Sequence, residues 1–339
     1  MLAPRVQLQL GDLLYDSHAV SLRLRRGLAP IVDRLEVTLP RDVRFEASGG
    51  DDVVLELDGG EGQEKVFTGR VSAISKGLKG IRVTAHNGAL ELGRFRPTVS
   101  IESSSVGDIV RALASEAGVE LGSVEDGPKI ALYVADGRAS AFEEIARLAA
   151  FVDAIASFDR QGKLHVEPFG TSGHGGELAW LYGRELIEVE VERTHADASS
   201  MTLVGEGAGE AGSTSALWPI ADFYGGSAPE AGVDARRKAA PELHSVDDAK
   251  AASAAWMQRR ARAEIRIRAR AWLVPAVAPG TRIELQELPE AVDASALIVR
   301  QLVHVVDPQA GAYTEIWGTE EVAAPGLLGQ LLGAAGGLL

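Results

Sequence analysis

The chain has 339 residues, 46% of them hydrophobic, contains no cysteine, and carries a formal net charge of −14 from 48 acidic and 34 basic residues. That length exceeds a single hydrophobic core and calls for two or three compact units. The composition rules out disulfides, thiolate metal centres and a cysteine nucleophile. Its acid excess argues against tight nucleic-acid binding, which needs clustered Lys and Arg.

The start, from Met1 to Leu8, lacks the basic end and apolar centre of a signal peptide, so assembly in the cytoplasm is expected. No apolar run reaches transmembrane length, and no transmembrane segment is expected. Residues 1–96 read as strands with Gly-rich turns at 48–50 and 58–62. Alternation and β-branched enrichment mark 52–57, 66–74 and 81–85 as half-buried strands, the last two joined by a tight turn at 77–80.

The character changes over residues 97–170, a small α/β domain. A helix begins near Ser105, with Asp108 in a capping-box-like position, Ile109, Leu113 and Ala117 on one face, and Gly118 at C′. Ser140 and Glu143 form a cleaner capping box, and Phe142, Ile145, Leu148, Ala149 and Val152 make a stripe at helical spacing. A hairpin follows, with strands at 154–158 and 163–166 around a turn at 159–162.

Residues 171–322 read as a second β-barrel. Strands are expected at 185–193 and 200–205, then a long Gly/Ala/Ser-rich loop at 206–241. Within that loop Leu217 to Ile220 and Phe223-Tyr224 are apolar islands that dock on a surface. A helix over 245–262 merges into a strand at 264–274. Strands at 281–285, 297–306 and 313–317, with a turn at 307–311, then repeat the first unit's order of strand, loop, long strand, tight turn, strand. The fold class is therefore mainly β, with two similar small tube-like β-barrel domains and a small α/β domain between them. The tail at 323–339 has no charged side chain, and Leu327, Leu328, Leu331 and Leu332 make it a candidate adhesive contact.

No catalytic, cofactor or metal site emerges. Gly207, Gly209 and Gly212 match GxGxxG, but the continuation through Ser213 to Pro219 does not open the helix that would hold a pyrophosphate. The seven histidines, His18, His86, His165, His174, His195, His244 and His304, include no i,i+4 pair, and His304 reads as a structural side chain. Two charge combs stand out instead. Glu188, Glu190 and Glu192 alternate with valines, and Arg266, Arg268 and Arg270 alternate with Ile267, Ala269 and Ala271. Each comb occupies one face of its strand. They are a register-fixing ladder if the strands are neighbours, or a candidate interface with another subunit or an assembly partner.

The run Val274-Pro275 through Gly280-Thr281 to Leu285, followed by 297–304, Asp307 and Tyr313-Thr314-Glu315, resembles the closing barrel of the phage late-control protein D family. Phe67-Thr68-Gly69, His86-Asn87-Gly88, Ser105 to Val110 and Ala139 to Ile145 fit the same order, so the resemblance spans roughly 5–320. It extends to the amino-terminal part of VgrG spike proteins, from which this chain departs by ending at Leu339 without a following spike. The resemblance implies a non-enzymatic baseplate hub subunit of a contractile tail or contractile injection system. It implies a homotrimer whose paired barrels match a hexameric tail tube protein on one side and a trimeric spike protein on the other. Baseplate wedge proteins, and a tape-measure protein or cargo in the lumen, would be further partners. Two other readings are a tail-associated cell-wall hydrolase and a β-rich module binding glycans or surface proteins.

Overall fold

A computed structural model describes residues 4–16, 19, 21–170, 175–194, 200–206, 219–224, 235–240, 242–243 and 246–320. The first unit holds β1 (Arg5–Leu10), β2 (Leu13–Asp16), β3 (Ser21–Gly27), β4 (Arg34–Leu39), β5 (Asp52–Asp58), β6 (Gln63–Gly77) and β7 (Gly80–His86). They pair antiparallel in the order β3-β4-β7-β6-β5-β1-β2. Period-two alternation sends Leu8, Leu24, Leu35, Val37, Leu55, Phe67 and Val83 into one buried cluster. Gly80 closes the β6–β7 turn at φ +130°, where a Cβ would meet the Leu39 carbonyl oxygen at 2.2 Å, so only glycine fits.

The middle unit contains α1 (Ala89–Arg94), β8 (Thr98–Ser105), α2 (Val106–Glu116), β9 (Leu121–Val124), β10 (Lys129–Asp136), α3 (Ala141–Phe151), β11 (Ala154–Phe158) and β12 (Leu164–Pro168). Ser105 Oγ accepts the Asp108 N–H at 3.0 Å to start α2, and Gly118 leaves it at φ +70°. The Ser140–Glu143 capping box starts α3. Ile109, Val110 and Leu113 of α2 bury against Phe142, Ile145 and Leu148 of α3, together with Tyr133 and Phe158. Each such side chain contributes about 1.5–3 kcal/mol. Ala117 and Val152, expected on these stripes, fall at the helix ends and are half-buried.

The last unit contains β13 (Glu177–Leu181), β14 (Leu186–Arg193), β15 (Ser200–Glu206), β16 (Pro219–Tyr224), β17 (Ala235–Ala239), α4 (Val246–Ala263), β18 (Ile265–Trp272), β19 (Arg282–Gln286), β20 (Ala296–Asp307) and β21 (Gly311–Glu320). Strands β14-β18-β21-β20 run in that order, β19 pairs with β20, and β13 lies parallel to β19. Trp180, Ile267, Ile283, Leu302 and Ile316 form their core.

Three differences from the sequence reading concern this half. The stretch 206–241, expected as one long loop, contains β16 and β17. β15, expected in the second barrel, instead centres a separate sheet β16-β15-β17 that packs on α4. Leu203 of β15 buries there with Ala249 and Ala252 of α4, which seats the helix on β15. Third, the two β units share one 13-stranded sheet. β20 makes the connection: its Ala296–Ile298 portion pairs with β19, and Gln301 to Val306 pair with Gly27 to Leu22 of β3. A bulge between Val299 and Gln301 separates the two stretches and turns the strand from one unit into the other.

Candidate functional site

Strands β14 and β18 pair antiparallel with Glu188 opposite Arg270, Glu190 opposite Arg268 and Glu192 opposite Arg266. Their apolar residues Val189, Val191, Ile267, Ala269 and Ala271 join the core, which leaves the two combs together on the outer face. β14 ends the path of the sheet, so its glutamates line an edge. All three are exposed, and among the described residues none makes an ion pair within 4.0 Å.

Arg268 and Arg270 engage β21, on the other side of β18. Arg268 Nε donates to Glu315 Oε1 at 2.8 Å, and its Nη2 reaches the same oxygen. The guanidinium lies 5.9 Å from the Trp317 ring centre, and that of Arg270 lies 4.3 Å over Tyr313. Glu315 is only 8% exposed, and a carboxylate so placed needs a cation beside it. The hydrogen bond and charge of Glu315 in turn hold Arg268 above its usual range. Two arginines thus make their close contacts on β21, and the glutamate row, felt by Arg268 only through longer-range charge, is left without a close ion pair among the described residues. Charged edges of this kind discourage indiscriminate strand pairing.

A second polar constellation, which the sequence reading missed, ties the units together. Arg26 and Asp33 are each 1% exposed and meet through Nε and Oδ2 at 3.2 Å. Arg26 Nη1 donates to the Val66 carbonyl at 3.1 Å, and Nη2 to those of Phe158 and Asp159 at 2.5 and 3.1 Å. Asp33 also accepts from Gly27 N at 3.0 Å and Asn87 Nδ2 at 2.9 Å. Burial pushes the Asp33 carboxyl up, against the pull of Arg26 and these donors. Nearby, Arg160 Nη1 donates to Glu64 and Nη2 to the Ala276 carbonyl, both at 2.6 Å, so one side chain of the β11–β12 turn reaches both β units. The signal was present in β3: Leu22 and Leu24 set the inward register, and Arg26 continues it.

His304 is fully buried, with Nδ1 2.9 Å from Thr314 Oγ1. That hydroxyl accepts the Val274 N–H at 2.9 Å, which leaves its own hydrogen to donate to His304. Burial, then Arg26 and Arg160, push the imidazole down to about 3, so it is neutral. Another histidine, His165, lies with Nε2 3.0 Å from Asp159 Oδ2 and Nδ1 2.9 Å from Ser123 Oγ. The line-up has the parts of a hydrolytic triad without its working geometry. His165 Nδ1 accepts the Ser123 N–H at 3.1 Å, and the Ser123 hydroxyl is donated to Glu167. The cluster clips β9 to β12, and the hydrogen bond that His165 donates to Asp159 holds the imidazole above its usual range.

Among the described residues no group of three His, Asp or Glu side chains is arranged to hold a metal ion, and no helix is long and apolar enough to cross a membrane. Leu327, Leu328, Leu331 and Leu332, the glycines of 207–212, and His18, His174, His195 and His244 lie outside the described residues.

No model of a known protein family matches the sequence, and no curated protein does. The fold does have counterparts among solved structures. A tail protein from Neisseria meningitidis MC58 superposes with a TM-score of 0.72 at 13% identity, over 94% of this chain and 97% of that one. The 43 kDa tail protein of prophage MuSo2 from Shewanella oneidensis gives 0.68 at 14% identity, over 93% and 98%. The E. coli c3393 protein, a type VI secretion system component with structural similarity to T4 bacteriophage tail proteins gp27 and gp5, gives 0.63 at 11% identity, over 93% and 77%. At these identities the likeness is one of fold.

Proposed function

We propose that this chain is a structural baseplate hub subunit of a contractile phage tail or contractile injection system, a trimeric adaptor between a hexameric tail tube and a trimeric spike. The observation that carries the reading is the near end-to-end correspondence with two tail proteins, over 93–94% of this chain and 97–98% of theirs. The chain is read as three domains, 1–96, 97–170 and 171–322, with two β domains per subunit. Three subunits then offer six β units to a sixfold ring and three copies of everything else to a spike. Its work is mechanical and involves no chemistry. One shared sheet and the Arg26–Asp33 and Arg160 ties bind the units into a body that passes force without hinging. The glutamate row on β14 meets a neighbouring subunit or the tube, and the leucines of 323–339 contact the spike.

Light scattering on the size-fractionated protein tests this. Three copies of a 35.7 kDa chain give about 107 kDa. A monomer at every concentration, unchanged by the candidate spike and tube proteins, would overturn the reading.

A further inference from the structure

Between α3, α4 and the middle of β20 lies a cleft of about 240 Å³. Four arginines line it, Arg259, Arg260, Arg262 and Arg300, against a single acidic residue, Asp153. In a chain with a net charge of −14 this is a local inversion of charge. Two backbone irregularities build it. Arg300 is the extra residue of the β20 bulge, left without a partner on β21 while its carbonyl accepts the Leu28 N–H at 2.8 Å. Asp153 follows α3 at φ +50°, a left-handed conformation uncommon outside glycine.

The one carboxylate is already engaged. Arg262 Nη1 and Nη2 donate to the two oxygens of Asp153 at 2.7 Å each, and the guanidinium stacks 4.1 Å from the Phe169 ring centre. Arg259 stands one turn before Arg262 on α4 and faces the same cleft. Its Nη1 is buried and has no hydrogen-bond partner. Neither Arg259 nor Arg300 makes an ion pair within 4.0 Å among the described residues. Burial and the neighbouring Arg300 hold Arg259 below its usual range. Uncompensated charge out of water is strongly unfavourable, and a guanidinium fork matches the two oxygens of a carboxylate or phosphate.

We propose that this cleft is an oxyanion site, which takes a carboxylate or phosphate group between Arg259 and Arg300 while Asp153 holds Arg262 as its third wall. The group arrives either on an acidic protein segment or as a free anion. The inference is independent of the tail reading, because binding is measured on the isolated full-length chain.

Thermal unfolding and titration calorimetry are run with sodium phosphate and with tri-glutamate, each against sodium chloride at equal ionic strength. Phosphate should raise the melting temperature in a saturable way at millimolar concentration. The rise should vanish in Arg259→Gln and need at least about tenfold more phosphate in Arg300→Gln, a loss of about 1.4 kcal/mol. Arg82→Gln, on the exposed face of β7, should behave as wild type. The same response to tri-glutamate assigns the group to a protein segment, and a response to phosphate alone assigns it to a free anion. An equal rise in chloride, a rise retained in both cleft variants, or one lost equally in Arg82→Gln overturns the proposal. If Arg259→Gln fails to fold, Arg300→Gln carries the same decision.

Discussion

Arg26 is fully buried and Arg259 half-buried with its Nη1 out of water, yet the surroundings of the two guanidinium groups are opposites. Arg26 meets a carboxylate and three backbone carbonyls, which gives its guanidinium donors partners on all sides. Arg259 keeps a buried Nη1 with nothing to receive its hydrogen. The first arrangement is complete within the chain and so acts as a joint. The second is complete only with a group from elsewhere and so acts as a socket. Burial alone therefore says little about the role of a charged side chain; the inventory of its partners decides.

Mutation can break this contrast, most strongly at the joint. Arg26→Met leaves Asp33 buried beside an apolar side chain, and should lose about 3–5 kcal/mol of unfolding free energy in urea. Adding Asp33→Asn should restore part of that loss, because the stranded charge is then gone. A loss of under 1 kcal/mol in the single variant would mean that the pair stabilises nothing.

His304 sharpens the comparison, since it is accommodated beside Arg26 by staying neutral. Its folded pKa, about 3, lies below the ordinary 6.5, so between these values the unfolded chain binds a proton that the folded one refuses. This contribution to stability is whole above about pH 6.5 and is lost as pH falls toward 3, by at most about 1.4 kcal/mol per unit. Between pH 7 and pH 5 the wild type should lose about 2 kcal/mol more than His304→Gln in paired urea titrations. Equal losses would mean that the folded imidazole does take up a proton there.

The smallest effect has the opposite sign. Arg259→Met should stabilise the free chain by about 1 kcal/mol in the same assay, by removing a charge without a partner. A clear loss of stability would mean that Arg259 is already satisfied inside the chain.

Helices α2 and α3 were legible because their signals are local: a serine cap, an acid three residues on, and apolar residues at helical spacing. The alternation of β14 and β18 was equally plain, but not the preference of Arg268 and Arg270 for β21. That depends on Glu315 and two aromatic rings some 45 residues away in sequence. β17 reads Ala-Arg-Arg-Lys-Ala, without one β-branched residue, and is a strand because β15 lies alongside it. The arginine cleft was hidden for two reasons. Arg259 and Arg262 sit in a charged helix that reads as solvated, and no local pattern announces the bulge that redirects Arg300.

The pairing of β3 with β20 also sets a timetable for the newborn chain. Arg25 and Gln301, which meet across that pair, are 276 positions apart. At about 5–20 residues per second, a ribosome needs roughly a quarter-minute to a minute between making the two. The core of the first unit is drawn almost entirely from residues 6–85, so it can collapse early, with one side of β3 still open. Nascent chains on the same messenger hold that open strand close to its own copies, the situation in which strands swap partners. Arg23 and Arg25 stand on its exposed face, the kind of charge that discourages strand exchange while β20 is still to be made.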